Sequence, residues 1–144
     1  MCRRPRLDLH LARSLTVRDM TVKLNHTIVS AHDARATADF LVEVFGFAPA
    51  VPFGPFLCVE TANEVSLDVM AAEEEITPQH YAFLVSDAEF DQIFGRVRER
   101  GLTYWADPYQ RRAGEINTND GGRGVYFEDP NGHRLEILTV PYGG

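Results

Sequence analysis

The chain has little cysteine, no long apolar run and no surplus of positive charge, and each shortfall narrows what it can be. Its two cysteines, Cys2 and Cys58, sit in unlike surroundings, one in a polar stretch and the other in an apolar, strand-like run. Two are too few for a disulfide framework, Cys58 reads as a buried thiol, and a reducing cytoplasm is the expected setting. No stretch approaches the roughly 20 apolar residues that a membrane helix requires. Fourteen Lys and Arg against 21 Asp and Glu leave a net charge of −7, which disfavours nucleic acid or an anionic membrane as partner. Positive charge does gather at Arg3, Arg4, Arg6, Arg13 and Arg18, but without the continuous apolar segment of a secretory signal. Residues 1–19 read as a disordered, dispensable tail, with a weak amphipathic helix through Leu7, Leu11 and Leu15 as the alternative.

What the chain does have is an internal repeat. Its 144 residues, 44% of them apolar, suit one domain with a proper core, placed at 20–144. His26, Asp33, Ala34 and Phe40 recur as His80, Asp87, Ala88 and Phe94, each 54 positions on. Each copy then closes on an apolar segment with a carboxylate in the same place, Val65-Ser66-Leu67-Asp68-Val69-Met70 and His133-Arg134-Leu135-Glu136-Ile137-Leu138. A repeated supersecondary unit is the economical reading.

Local patterns fill in each unit. Val22, Leu24, His26 and Ile28 alternate along a strand from Val22 to Ser30. Asp33 suits an N-cap, Ala34, Ala38, Leu41, Val42 and Phe45 follow helical spacing, and Gly46 suits the C-terminus. A loop with Pro49, Pro52, Gly54 and Pro55 leads to strands at Phe56–Glu60 and Glu64–Met70. An acidic linker, 71–78, joins the copies. In the second, a strand starts at Gln79, Asp87 caps a helix ending at Gly101, and a short strand spans Leu102–Trp105. A hairpin then crosses Asp129-Pro130-Asn131-Gly132, where Asn-Gly between strand patterns is a strong turn signal. The expected fold is α+β, two βαβββ modules at 21–70 and 79–140, with curved mixed sheets forming a metal-binding cleft. From His26 to Asp68 is 42 positions and from His80 to Glu136 is 56. The surplus lies in the polar loop Asp107–Gly124, long enough for a lid or binding loop.

Two imidazoles and two carboxylates at equivalent points can meet on a pseudo-two-fold axis. His26, Asp68, His80 and Glu136 are therefore the candidate metal ligands. Such a set suits a divalent Fe, Mn, Ni, Co or Zn ion, and two His with one carboxylate suggest iron. Asp68, one methylene shorter than Glu136, is the weakest of the four and fits binding through water. His133 follows the turn and reads as a turn or surface residue; His10 and His32 read as incidental. Arg111 and Arg112 suit either a lid over an anion or a solvated loop. Phe53, Phe56 and Trp105 suit either a pocket wall or core, and Tyr81 and Tyr126 either proton donors or packing.

Three segments carry a resemblance: Leu24-Asn25-His26-Thr27-Ile28-Val29, Gln79-His80 through Ser86-Asp87, and Phe127-Glu128-Asp129-Pro130-Asn131-Gly132-His133-Arg134-Leu135-Glu136. They are similar to the vicinal oxygen chelate superfamily of glyoxalases, bleomycin-resistance proteins and dioxygenases, over about 20–140. The resemblance implies chelation of a small-molecule substrate through neighbouring oxygens, and a homodimer, since such proteins commonly share modules between chains. The glyoxalase I pattern of His or Gln, Glu, His, Glu is matched by His26, Asp68, His80 and Glu136, with a departure at Asp68. The extradiol pattern of His, His, Glu is matched by His26, His80 and Glu136. Antibiotic-binding members usually lack the metal set, so its presence here points to an enzyme. Glyoxalase-like lyase or isomerase chemistry with Glu136 or Asp68 as base leads; Fe(II) ring cleavage, thiol transfer to an epoxide antibiotic and drug sequestration are the alternatives.

Overall fold

A computed structural model describes residues 20–144; the reading of 1–19 lies outside the described residues. The repeat is visible as two sheets of the same design. In the first module, β1 (His26–Ala31) and α1 (Ala34–Phe45) are followed by β2 (Val51–Phe53), β3 (Phe56–Glu60) and β4 (Ser66–Ala71). In the second, β5 (His80–Leu84) and α2 (Asp87–Glu99) precede β6 (Tyr104–Trp105), β7 (Gly124–Glu128) and β8 (Arg134–Leu138). The strand orders are β1-β4-β3-β2 and β5-β8-β7-β6. In each sheet the first strand lies parallel to the last, and the other pairings are antiparallel.

Several local expectations are refined. Asp33 caps α1 as read, accepting from the Ala36 amide, and Gly46 ends it in the left-handed region at φ 76°. The cap of α2 is Ser86, not Asp87: Ser86 and Glu89 form a reciprocal capping box, and Asp87 becomes the first helical residue. The segment around Pro52, read as loop, forms the short edge strand β2. Proline is tolerated there because an edge strand leaves its outer N–H unused. β1 begins at His26 rather than Val22; Val22 and Leu24 are 85% and 70% exposed, with no strand partner among the described residues. The long loop is built rather than slack. Asp107 accepts from the Arg111 and Arg112 amides, the Asn117 side chain donates to the Ala106 carbonyl, and Arg134 donates to the Pro108 carbonyl.

One apolar core joins the modules. Val29, Val59 and Val69 of the first sheet, Val125, Phe127 and Ile137 of the second, and Leu41, Phe90 and Ile93 of the helices belong to it. Phe45 bridges to Phe83 and Phe127 at ring distances of 4.5 and 5.9 Å. The hairpin turn adds polar staples. Asn131 donates to Thr37 Oγ1 and accepts from the His32 amide, while Asp129 accepts from the Asn131 and His133 amides. His133, expected at a turn or surface, is 1% exposed. It accepts from the Gln79 amide at Nδ1 (3.0 Å), which leaves Nε2–H to donate to the Ser30 carbonyl (2.7 Å). Sequence proximity to the turn misled the reading: the turn folds inward against the other module.

Candidate metal centre

Strand alternation decides which side chains share a face. In the first sheet, pairing of His26 with Ser66 and of Ile28 with Asp68 puts His26 and Asp68 on one face, diagonally across β1 and β4. In the second, pairing of His80 with Arg134 and of Ala82 with Glu136 gives His80 and Glu136 the same relation across β5 and β8. Each module therefore holds one imidazole and one carboxylate in matching positions.

The two pairs do not converge within one protomer. Among the described residues no group of three or more His, Cys, Asp or Glu lies close enough to hold an ion. The opposite faces of both sheets carry the shared core, so the His-bearing faces are left outward, and His26, His80 and Ile28 are exposed. A cleft closing over all four groups, expected from pseudosymmetry, is not formed inside a single chain.

The second module carries the more developed half-site. The His80 imidazole donates from Nδ1 to the Arg134 carbonyl at 3.1 Å, which fixes the ring and leaves Nε2 as its free donor atom. The Tyr126 ring stacks beside it at 6.0 Å. Glu136 is 1% exposed, yet no ion pair among the described residues involves it. Buried carboxylates almost always have a cationic partner, because desolvating the charge is costly. Here the Tyr142 hydroxyl donates to both oxygens, at 2.5 and 2.6 Å, and also lies 3.2 Å from the Tyr126 hydroxyl. Burial and the neighbouring carboxylate push both phenols above their ordinary range. A buried carboxylate without a cation beside an imidazole with a free Nε2 fits a cation site in its donor chemistry.

In the first module the Ser66 hydroxyl donates to Asp68 at 2.6 Å, and Cys58 pairs directly opposite Asp68. Burial and the adjacent carboxylate raise the Cys58 thiol, so it stays protonated. The same face carries Ile28, Phe56 and Met70, with Val51 and Phe53 on the edge strand. Phe53 is 74% exposed and so is not core. Tyr81 points to the other face of β5, edge-on to His133, and is packing rather than site. Arg112 pairs with Glu115 and Arg111 covers the Tyr109 ring, both as surface contacts. Tyr142 was missed from the sequence; its only signal there is an aromatic near the end of the chain, six residues beyond Glu136.

This chain belongs to the Glyoxalase/Bleomycin resistance protein/Dioxygenase superfamily, whose family model matches residues 23–137. Within it, the chain is similar to the solved structure of Oxidase ChaP-H2, 66% identical with a TM-score of 0.85, covering 87% of this chain and 98% of that one. Oxidase ChaP-H1 is 64% identical with a TM-score of 0.85, covering 86% and 100%. Glutathione transferase FosA of Serratia marcescens is 28% identical over 127 residues, 82% of this chain and 81% of the relative. Among the described residues no helix is long and apolar enough to cross a membrane.

Proposed function

We propose that the protein is a metal-dependent oxidase, active as a homodimer, that acts on a small apolar molecule bearing two neighbouring oxygens. The observation that carries this reading is the 66% identity to Oxidase ChaP-H2 over nearly the whole of that chain. The donor set supports it. His80 and Glu136 of one protomer with His26 of the other would make the two-His, one-carboxylate arrangement typical of non-haem iron oxygenases. Asp68 would arrive with His26, on the same sheet face. A ferrous ion held there would give access to dioxygen and anchor the two substrate oxygens.

The chain's own residues have separable tasks. The Arg134 carbonyl holds the His80 ring so that Nε2 faces outward. Glu136 supplies the buried negative charge. Ile28, Phe56 and Met70 offer an apolar wall that would exclude water and favour an apolar substrate body. Contact between two protomers along β1 and β5 would also cover one of the two edges of each sheet, leaving β2 and β6 as the others. Proton transfer of the glyoxalase type, with Glu136 or Asp68 as base, gives way to oxidation because the similar proteins of highest identity named above are oxidases.

The test is metal analysis of freshly purified protein, then dioxygen uptake by the Fe(II)-loaded dimer with catechols and larger vicinal diols. Methylglyoxal–thiol adducts serve as the competing substrates. Turnover of the adducts without oxygen consumption would overturn the oxidase reading, and retention of metal by His80→Ala would overturn the site.

A further inference from the structure

We propose that Tyr142 is a C-terminal plug on the metal carboxylate, competing with the ion for Glu136; the proposal rests on the metal reading above. The chain bends at 139–140 after β8, and the Gly144 amide closes a turn onto the Pro141 carbonyl. That turn returns Tyr142 over the strand it has just left. Its hydroxyl reaches both oxygens of Glu136 at nearly equal distance, 2.5 and 2.6 Å. A donor so placed lies on the bisector of the carboxylate, where a bidentate ion would sit, and it uses the lone pairs such an ion would use. The Tyr126 hydroxyl, 3.2 Å away, backs the plug from the side of His80. The small cavity that Tyr126, Glu136 and Tyr142 help to line measures about 10 Å³, the room of a single water molecule at most.

The plug is also built to leave. The Tyr142 residue is 67% exposed although its hydroxyl is engaged. It stands on the turn at 141–144, outside every strand and helix among the described residues, so release opens no core. Glu136, by contrast, is fixed in β8 between β5 and β7. The phenol therefore yields, and the carboxylate stays in place. The same contact keeps the buried carboxylate hydrogen-bonded whenever the ion is away.

The experiment titrates the full-length protein with Zn(II) against a chelating indicator. Wild type is compared with Tyr142→Phe and with a chain ending at Val140. Losing a hydrogen bond to a charged group should tighten Zn(II) binding by roughly tenfold or more in both variants. A residue that merely supported the fold or oriented Glu136 would give the opposite sign. In wild type, Zn(II) should also make the last four residues more susceptible to carboxypeptidase. Equal or weaker Zn(II) binding by Tyr142→Phe, with wild type binding normally, overturns the plug alone. Absence of Zn(II) binding in every form overturns the metal reading and the plug with it.

Discussion

Mixing two defective chains should restore a site that neither has alone. The perturbation is His26→Ala in one chain and Glu136→Ala in the other, co-expressed with different tags so that the mixed dimer can be isolated. Within one protomer His26 lies on the outward face of the first sheet, and among the described residues no third donor joins His80 and Glu136. If the faces pair between protomers, each dimer has two sites, and each takes His26 from one chain and Glu136 from the other. In the mixed dimer one site then combines both alanines, and the other combines both native residues. Metal content and turnover should be about half those of wild type for a two-fold dimer. An unsorted statistical mixture should reach about a quarter, since roughly half of its dimers are mixed. Either parent alone should bind ions weaker by orders of magnitude, each lacking a direct metal ligand at both sites. The assay is metal per chain by elemental analysis, beside activity. A mixed dimer as empty as its parents would refute assembly of the site across the interface. Full metal content in the His26→Ala parent would refute His26 as a ligand.

Other perturbations test separate parts of the reasoning. His133→Ala should cost about 3 kcal/mol in urea unfolding, because it removes a buried ring and leaves the Ser30 carbonyl and Gln79 amide without partners; a loss below about 0.5 kcal/mol would contradict the staple. Asp68→Ala should weaken metal binding less than His80→Ala does, because Ser66 already holds Asp68 and its shorter reach suits binding through water; the reverse order in a metal titration would be fatal to the assignment. Tyr81 and Tyr126 have raised folded-state values, chiefly from burial. Their contribution to stability is complete below the unfolded tyrosine value of about 10 and is lost as pH rises toward the folded values, where the unfolded chain binds fewer protons. Alkaline unfolding should therefore set in above that point and move to higher pH in Tyr126→Phe, as followed by circular dichroism; an unchanged onset would count against it.

The repeat was legible because it is a local property written twice. The 54-residue offset, the Asp33 cap, the left-handed Gly46 and the Asn131-Gly132 turn each depend on neighbours within a few residues. The repeat likewise put an imidazole on the first strand and a carboxylate on the last strand of each module, and the strand register then set each pair on one face. Sequence therefore determined the two modules, their mixed sheets and the equivalence of His26 with His80 and of Asp68 with Glu136. It could not determine which faces would be buried together. The chain fuses the core faces of both sheets around α1 and α2, which turns the His-bearing faces outward and leaves each half-site open. Tertiary structure alone also drew His133 from a turn into the junction between modules and returned Tyr142 onto Glu136. Both outcomes depend on how distant segments stack, a matter of three-dimensional packing that periodicity along the chain does not encode.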